Sequence, residues 1–562
     1  MFGYGETEKA PPLEVTDKLK IYLIVHWRGI ITLLVPLLTI GILVPFPPEK
    51  WQWTAYCLLV MAVYWVTECI PLPVTAFLPV IVFPITGVMT TTEVCKCYVS
   101  DAVIMFLGSL MLAASVEQSG LHRRMAFVAI RSVGYSHRKL LVAMVIVTSF
   151  CSMWITNTAA TTMMMPIIFA VLKVFEDQKL LNVYDTDVSG SKVASDIASC
   201  YFCTATFSAT IGGVGTLIGT GTNLVFKGLF VTEYPNAPDY LSFPLFSAFG
   251  IPYMIVLDIF LVLYILIVYT GLFRPNSEAA RKTKIPANAL KAAEEAVARE
   301  YASLGKITFW EKAVIVLFGS SIILFFCRSP QIFKGWGDLI SDFFELNNIK
   351  FVRDSAVAAC IITVMLIFPS NLLFFKNCSA KFHEDLPKKP IRSVLDWAIM
   401  MAEMPFSFVF LLGGGFALST AAKLSGLNSK IGECIQGLKV LPDIVIVLII
   451  VTVVIMITNF ASNIAVCNVF TPISMQLARE VKHNPLMYCI ASGFAASHCF
   501  LLPVGTPGNL IVQSAAKVPT SKMAVAGIGP TISTIIITWL AVNFYAPIVW
   551  PILKNPSPDW LG

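Results

Sequence analysis

The sequence predicts an all-α membrane protein that crosses the bilayer many times. Of its 562 residues, 56% are hydrophobic and 13% are charged, whereas soluble domains carry about 25% charged residues. Apolar stretches long enough to cross ~30 Å of hydrocarbon recur from end to end. Because lipid accepts only helices or closed barrels, and the sequence lacks the alternating pattern of barrel strands, these stretches indicate a polytopic helical bundle.

The candidate spans are distributed along the whole chain. They lie near residues 30–47, 53–67, 73–89, 139–155, 243–272, 308–327, 354–375, 440–458 and 521–551. Residues 1–28 are polar and mixed in charge, without the regions of a cleavable signal peptide. We therefore expect a cytosolic N-terminus and a first span that acts as the insertion signal.

Two basic connections predict the orientation of the chain. Residues 274–307 and 376–392 are rich in Lys and Arg, which favours the cytosolic side of the membrane. Two candidate spans separate them, so both connections fall on the same side. Residues 328–350 are less basic and fit an external loop. The sequon at Asn377 then faces the cytosol, where it would not be glycosylated.

The remaining composition argues against several other classes of protein. The 14 Cys are scattered through apolar segments and resemble small core residues rather than disulfides. Cys95 and Cys97 have no partner spacing that predicts a metal site. A net charge of +6 suits basic cytosolic loops and predicts no nucleic-acid partner. Without a His/Asp/Glu cluster or a Ser/His arrangement, we expect neither an enzyme nor a cofactor.

The chain contains an internal duplication. Residues 155–167, ITNTAATTMMMPI, match residues 461–473, ASNIAVCNVFTPI, at an offset of 306. A hydroxyl residue stands four positions before each Thr-Asn or Ser-Asn pair. Two further pairs occur in the same order: FLGS at 106–109 with LLGGG at 411–415, and GTGTNLV at 219–225 with GTPGNLI at 505–511. A polar insert at 174–194 accounts for the smaller offset of the last pair.

We therefore divide the chain into four parts: the cytosolic N-terminus 1–28, a first half 29–273, a cytosolic linker 274–307 and a second half 308–562. Duplicated halves with matching Gly- and Pro-interrupted segments predict a transporter whose site lies at the repeat interface. We expect the glycines of these motifs to form tight re-entrant hairpins, with close helix packing as the alternative. They are Gly108, Gly219, Gly221, Gly413, Gly414, Gly415, Gly505 and Gly508, together with Pro507.

The side chains of the motifs limit the possible ligands. Hydroxyls, amides and free N–H groups at helix N-termini bind a carboxylate or another oxyanion. Hydroxyl, amide and carbonyl oxygens also bind a hard cation such as Na+. Neither motif contains Lys, Arg, Asp or Glu. A dianion or trianion would therefore need helix dipoles and bound cations, which predicts coupling to Na+, to H+ or to exchange for another anion.

Four acidic residues lie in apolar surroundings. Intramembrane acids are candidates for function, including proton relay. Here we expect interfacial positions instead, because each acid stands near the end of a candidate span. They are Glu68, Glu117, Asp258 and Glu403.

The paired motifs resemble those of a known family. Thr156-Asn157-Thr158 and Ser462-Asn463-Ile464 are similar to the paired Ser-Asn-Thr signatures of the divalent anion/Na+ symporters, solute carrier family 13. The resemblance covers nearly the whole chain, through SMWITNTA, GTGTN, LLGGGFAL, HCFLLPVGTPGN and the terminal PDW. It is greatest to the invertebrate "I'm not dead yet" type.

This resemblance implies a specific architecture and activity. The fold would be a homodimer of protomers with two inverted repeats, about eleven spans and re-entrant hairpins. A scaffold domain would dimerise, and a transport domain would move as an elevator. The substrates would be succinate, fumarate, malate, α-ketoglutarate and citrate, carried across the plasma membrane with Na+ or in exchange for another anion.

The resemblance also implies roles for individual residues. Substrate contacts would come from Thr156, Asn157, Thr158, Thr220, Ser462, Asn463, Ile464 and Thr506. A first Na+ would be bound by Ser152, Thr156, Asn157 and Gly221. A second Na+ would be bound by Thr458, Ala461, Asn463 and Gly505.

The chain departs from the family pattern at several of these positions. Thr156 replaces Ser and keeps the hydroxyl, while Ile464 replaces Thr or Val and narrows the site. Gly505 replaces Ala, Gly508 replaces the second residue of a Pro-Pro pair, and Ser109 replaces Gly. Substrate preference and Na+ stoichiometry therefore stay open. The alternatives are a sulfate or other oxyanion transporter of the same fold, a membrane-embedded enzyme and an anion channel.

Overall fold

The computed structural model describes most of the chain as α-helix. The described residues are 15–44, 46–133, 136–186, 192–274, 276–277, 286–330, 332–344, 352–380, 386, 390–434 and 441–561.

The described residues up to Thr270 form twelve α-helices and a small hairpin. The helices are α1 Val15–Thr39, α2 Lys50–Thr67, α3 Leu72–Thr75, α4 Leu78–Ile85, α5 Thr91–Tyr98, α6 Asp101–Ser119, α7 Leu121–Val133, α8 His137–Ser152, α9 Asn157–Asp177, α10 Asp196–Gly212, α11 Gly221–Glu233 and α12 Phe243–Thr270. Strands β1 Tyr184–Thr186 and β2 Lys192–Ala194 pair antiparallel, with Tyr184 opposite Ala194.

The linker and the second half contain the remaining described helices. They are α13 Ala287–Ser303, α14 Phe309–Arg328, α15 Trp336–Phe343, α16 Asp354–Ile367, α17 Lys376–Ser379, α18 Trp397–Glu403, α19 Ser407–Ser425, α20 Leu427–Cys434, α21 Asp443–Thr458, α22 Asn463–Glu480, α23 Pro485–Ala495, α24 Pro507–Ala515, α25 Thr520–Leu540 and α26 Ala546–Val549. Short 3₁₀ segments are Ile40–Leu43, Leu373–Phe375, Pro503–Gly505, Pro551–Lys554 and Asp559–Leu561, and a π-helical turn is Ala541–Tyr545.

The two halves repeat the same order of helices. Helices α6 and α19 each have 19 residues and end at left-handed glycines, Gly120 with φ 74° and Gly426 with φ 78°. Helices α8 and α21 each have 16 residues, and the helices after them begin at Asn157 and Asn463. This repeated order of helices is what the predicted internal duplication requires.

Seven segments of the described chain are long and apolar enough to cross a membrane. They are Val15–Leu43, Thr91–Ser119, Asn157–Asp177, Phe243–Thr270, Phe309–Arg328, Ser407–Ser425 and Thr520–Val549. Several shorter apolar helices, including α16 and α23, accompany them. The predicted multi-pass helical architecture is confirmed.

Two predicted spans are arms of helical hairpins rather than full spans. The stretches near 139–155 and 440–458 form α8 and α21, whose 16 residues are fewer than the ~20 that a span requires. Both helices end at the polar motifs, because the chain turns there. Helix α8 then packs against α9, and α21 packs against α22.

The boundaries of other predicted segments also differ in the structure. Helix α1 begins at Val15, inside the segment 1–28 that we predict to be the cytosolic N-terminus. None of the most apolar part of this helix is buried within the chain. The insert 174–194 begins with the last turn of α9 and continues into the β1–β2 hairpin. The described part of the linker includes α13, which packs on α7 and α9.

Four glycines that we expected in hairpin turns lie inside continuous helices. A Cβ on Gly108 of α6 would stand 2.6 Å from the Cβ of Ala358. In α19, Gly413, Gly414 and Gly415 closely approach Tyr98, Ala76 and Asn468, respectively. The alternative of close helix packing is therefore correct for this motif pair, because small residues let neighbouring helices approach.

A buried network of four charges connects the two halves. Lys227 on α11 lies 2.8 Å from a carboxylate oxygen of Asp354 at the start of α16. Arg328 at the end of α14 reaches Asp354 at 2.6 Å and Asp239 at 2.8 Å. The side chains of Arg328 and Asp354 are only 4% and 5% exposed. Two positive and two negative charges thus neutralise one another away from water, which sequence spacing did not predict.

We expect the network to depend strongly on Asp354. In Asp354→Asn, Arg328 and Lys227 lose their shared carboxylate, and breaking a buried ion pair costs on the order of 3 kcal/mol. The melting temperature of the detergent-solubilised protein should therefore fall clearly. Asp342→Asn is the matched control, because the Lys334–Asp342 pair is exposed and exposed pairs contribute roughly 0–1 kcal/mol. Equal melting temperatures for the two variants would contradict this.

Candidate functional site

The first polar motif occupies the turn between α8 and α9. Helix α8 ends at Ser152, and the extended backbone of Thr156, with ψ 147°, starts α9. The Thr156 hydroxyl accepts a hydrogen bond from the N–H of Ala159 at 3.2 Å, as an N-cap residue does. Pro166 lies inside α9 beyond the motif.

A hydroxyl, an asparagine and a backbone carbonyl meet at this turn. The Ser152 Oγ lies 2.9 Å from the Asn157 Oδ1 and 2.6 Å from the carbonyl oxygen of Ala209 on α10. A hydroxyl group has one hydrogen, so it must divide one donor between these two acceptors. The cluster holds three oxygen atoms close together within the apolar protein.

The second motif repeats this cluster. The Thr458 Oγ1 lies 2.7 Å from the Asn463 Oδ1 and 3.0 Å from the carbonyl oxygen of Ala496. The Asn463 amide also donates to the carbonyl of Ser497 at 3.1 Å. Ser462 occupies the N-cap position of α22 but its side chain makes no capping hydrogen bond. Both motifs therefore place the same chemistry at the start of a long helix.

A second pair of broken helices closes around these turns. Helices α10 and α11 are separated by residues 213–220, and α23 and α24 by residues 496–506. A Cβ on Gly219 would lie 3.0 Å from the carbonyl oxygen of Ser152, and a Cβ on Gly505 would lie 2.6 Å from that of Thr458. Both glycines permit a loop to approach the backbone of a motif turn.

Gly219 is not among the predicted site residues. The alignment of GTGTN with GTPGN pairs it with Gly505, so the sequence contained the signal. Gly221, which the family resemblance assigns to the first cation site, directs its Cβ position towards Phe106, at 2.7 Å, and Ile464, at 3.0 Å. Gly221 therefore brings the first loop against the second motif.

The two loop threonines adopt nearly the same backbone conformation. Thr220 has φ −143° and ψ 148°, and Thr506 has φ −138° and ψ 144°. Each precedes a helix without capping it through its side chain. The Thr506 Oγ1 is buried and has no hydrogen-bond partner among the described residues. An unpartnered buried hydroxyl favours a ligand at this position, because burying it alone costs free energy.

The asparagines of the GTxxN loops have a structural role. The Asn223 amide donates to the carbonyls of Gly213 and Thr216 at 3.0 and 2.8 Å. The Asn509 amide donates in the same way to the loop carbonyls of Cys499 and Leu502. These bonds satisfy backbone groups that the helix breaks leave open at membrane depth.

The loops and motifs of the two halves interleave. Helix α11 packs on α22, and α24 packs on α9. A Cβ on Gly508 would lie 2.9 Å from the Oγ1 of Thr161, whose hydroxyl donates to the carbonyl of Asn157. The Thr206 hydroxyl donates to the Asn509 Oδ1 at 2.8 Å. Each half thus supplies a motif and a loop that contacts the motif of the other half.

The remaining predicted site residues lie beside these contacts. Ala461 is buried just before the N-cap Ser462, and Thr158 is half-buried in the first turn of α9. The carbonyl of Thr158 accepts from the exposed Thr162. Four helices, α9, α11, α22 and α24, begin at the motifs and loops, and helix N-termini attract anions. The oxygen clusters of Ser152 and Thr458 suit a hard cation, which binds oxygen ligands.

The four acids expected near span ends divide into two groups. Glu68 is the left-handed C-cap of α2, Glu117 lies in the last turn of α6 and Glu403 ends α18. Asp258 instead lies midway along the 28-residue helix α12. The expectation of an interfacial position is therefore wrong for Asp258.

Comparison with known proteins gives a family for the whole chain. Residues 24–553 match the family model described as the sodium:sulfate symporter transmembrane region. The chain is 35% identical to "Protein I'm not dead yet" of Drosophila melanogaster, with 95% of this chain and 91% of that protein covered. It is 32% identical to a Na(+)/citrate cotransporter of Rattus norvegicus, covering 96% of this chain and 98% of the relative.

Further comparisons agree. A Na(+)/dicarboxylate cotransporter 3 of Mus musculus is 31% identical, with 95% of this chain and 94% of that protein covered. The crystal structure of the Alcanivorax borkumensis YdaH transporter shares the fold, with a TM-score of 0.50 at 13% identity over 82% of this chain and 89% of the other. The resemblance of the motifs is thus confirmed: the chain is a multi-pass membrane transporter, not an enzyme, and belongs to the sodium:sulfate symporter family, solute carrier family 13.

Proposed function

We propose that this protein is a secondary transporter of di- and tricarboxylates across the plasma membrane. Its substrates are succinate, fumarate, malate, α-ketoglutarate and citrate. The relatives named for citrate and dicarboxylate cotransport support this substrate class, since each is at least 31% identical over nearly the whole chain. The observation that carries the proposal is the pair of equivalent hydroxyl–asparagine–carbonyl clusters, one at the start of α9 and one at the start of α22.

The anion is bound without an arginine clamp. The side chains of Thr156, Asn157, Thr158 and Thr220 contact it from the first half, and those of Ser462, Asn463, Ile464 and Thr506 contact it from the second. The free N–H groups at the starts of α9 and α22 contribute positive partial charge. The unpartnered hydroxyl of Thr506 provides a donor from the second loop.

Sodium ions supply the remaining positive charge. The first is held by Ser152, Thr156, Asn157 and Gly221, and the second by Thr458, Ala461, Asn463 and Gly505. A cation can bind the two oxygens of Ser152 and Asn157 that now share one hydrogen, while the hydroxyl donates to Ala209. In the second cluster, a cation can likewise bind the oxygens of Thr458 and Asn463 while the Thr458 hydroxyl donates to the carbonyl of Ala496. The loop at Gly219 lies against the carbonyl of Ser152 and closes the first cluster.

Transport proceeds by alternating access in a homodimer. The motif hairpins and broken helices, α8–α11 and α21–α24, form a transport domain that moves as an elevator. A scaffold domain dimerises and keeps its position in the membrane. Inverted repeats relate the two halves, and the N-terminus is cytosolic. The shared contacts of α11 with α22 and of α9 with α24 support movement of the motif-bearing helices as one unit.

We expect both motif asparagines to be essential for uptake. Asn157→Ala and Asn463→Ala each remove an oxygen from a cluster and an amide from the substrate site, so uptake of labelled succinate should fall at least about a hundredfold, corresponding to ~2.7 kcal/mol. Thr162→Ala is the matched control, because this hydroxyl on α9 is exposed and bonds its own helix. Uptake at the control rate by either Asn variant, at equal surface expression, would refute the site assignment.

We expect the loop glycines of this chain to tolerate no side chain. This includes Gly505, where the family pattern has Ala, because a Cβ there would also approach the Sγ of Cys499. In Gly219→Ala and Gly505→Ala, the new Cβ meets a motif carbonyl at 3.0 and 2.6 Å, and relieving the overlap displaces the loop from the cluster. Uptake should fall more in Gly505→Ala. Gly319→Ala on α14 is the control, because its Cβ position meets nothing within 4 Å. Wild-type uptake by Gly505→Ala would contradict the close approach.

Ion coupling is tested by uptake of succinate and citrate in cells, with Na+ replaced by choline and with or without preloaded dicarboxylate. Loss of uptake in choline supports symport, because bound Na+ must neutralise the anion. Uptake in choline that preloading stimulates supports anion exchange instead. Sulfate is the alternative substrate, since the family model is named for it. Stronger competition by sulfate than by unlabelled succinate would favour that alternative.

A further inference from the structure

Asp258 is a carboxyl group in the middle of a candidate span. It stands midway along the 28 residues of α12 and is partly buried. At 1.5 Å of rise per residue, both ends of the helix are about 20 Å away along its axis. An acid at this depth is expensive to maintain unless it has a function. The proposed anion and cation contacts do not use it.

When Asp258 is ionised, the groups around it have one hydrogen too few to satisfy every acceptor. The Ser149 Oγ lies 2.9 Å from the Asp258 Oδ1 and 3.0 Å from the carbonyl oxygen of Ser208 on α10. Ser149 has one hydrogen for these two acceptors. A neutral Asp258 supplies a second hydrogen to Ser149, which can then donate to Ser208. When Asp258 is ionised, the Ser149 hydroxyl donates to its carboxylate, and the carbonyl of Ser208 loses this hydrogen bond.

The helices that pack on α12 place their charges far from this centre. They are α8, α10, α14, α25 and α26. Their charged or basic side chains all lie in terminal turns: His137, Arg138, Lys139, Asp196, Glu311, Lys312, Arg328 and Lys522. The other titratable groups on them are Cys151, Cys200, Tyr201, Cys203 and Cys327. Asp258 therefore has no carboxylate or cation of these helices as a mid-span partner.

The second half has no equivalent of this pair. Ser149 aligns with Ile455 at the same offset that aligns Ser152 with Thr458. Gly250 and Gly527 are equivalent, since each directs its Cβ position at the carbonyl of a matching loop residue, Val214 or Phe500. That equivalence aligns Asp258 with Ile535. An acid and a hydroxyl thus replace two isoleucines in one half only, so the duplicated fold does not require them.

The pair lies beside the first oxygen cluster. Ser149 precedes Ser152 by about one turn of α8, and the two hydroxyls approach the consecutive carbonyls of Ser208 and Ala209. A Cβ on Gly212 would lie 2.3 Å from the carbonyl of Ser149, so α8 and α10 are in close contact here. A change in charge at Asp258 therefore acts on Ser152 at an effective dielectric constant of ~20, well below that of water.

We propose that Asp258 and Ser149 form a proton-binding site that adjusts the first oxygen cluster. The ionised carboxylate adds negative charge near Ser152 and favours a cation there, whereas protonation removes that charge. The second cluster does not respond in this way, because Ile455 and Ile535 cannot bind a proton. The effect on uptake rests on the proposed transport function, and the protonation itself does not.

Asp258→Asn should remove the pH dependence of uptake that this site causes. We would measure succinate uptake into proteoliposomes from about pH 5 to about pH 9, a range that includes the strongly raised pKa values of buried carboxyl groups. Succinate titrates identically in both measurements, so its titration has no effect on the ratio of wild-type to Asp258→Asn uptake. This ratio should lie near one at the acidic end and rise on the order of tenfold at the basic end, as expected for a unit charge ~10 Å away.

Two variants control this experiment. Asp258→Glu keeps a titratable group and should retain a pH-dependent ratio. Glu68→Gln neutralises an acid at the end of α2, so its ratio to the wild type should be flat. A flat ratio for Asp258→Asn with robust uptake, or faster uptake by that variant at the basic end, would overturn the proposal.

Infrared difference spectroscopy measures the protonation directly on purified protein. The wild type should lose the carbonyl-stretch band of a neutral carboxyl group as pH rises, and Asp258→Asn should lack this change. Identical difference spectra would overturn the proposal. If the wild type takes up neither succinate nor citrate at any pH, the proposed transport function fails, and the spectra alone decide whether Asp258 binds a proton.

Discussion

The structure depends on how helix breaks are satisfied inside a membrane. A chain that stops and restarts a helix at membrane depth exposes N–H and carbonyl groups that lipid cannot hydrogen-bond. Here each motif turn is held by one hydroxyl, which contacts an asparagine oxygen on the next helix and a carbonyl of a third. Each loop is held by the amide of Asn223 or Asn509. These bonds let polar chemistry exist within an otherwise apolar protein.

The same requirement explains why small residues surround the site. Loops can reach the motif turns only where a side chain is absent, as at Gly219 and Gly505. The helix that follows each loop then begins against the motif of the other half, at Gly221 and Gly508. Outside the site, the glycines of α6 and α19 serve helix packing, and the ion network of Arg328 and Asp354 joins α14 to α16. The site and its supporting contacts thus use different kinds of interaction.

The two halves are alike in their oxygen clusters and different in their surroundings. The N-cap Thr156 closes the first turn with its hydroxyl, whereas Ser462 makes no such bond. Ile464 brings an apolar side chain to Gly221, where the first half has Thr158. The acid at Asp258 occurs in the first half alone. Two clusters of common origin therefore lie in different surroundings.

The sequence by itself determined the membrane class, the duplication and the residues of the motif turns. Hydropathy and the offset between the repeats follow from the order of the residues alone. The tertiary structure decided which glycines lie in loops and which lie at helix contacts, because the sequence shows the same residue type in both roles. The short lengths of α8 and α21, the position of Asp258 beside Ser149 and the ion network were also decided there. Each depends on a neighbour distant in sequence, and local pattern does not specify such neighbours.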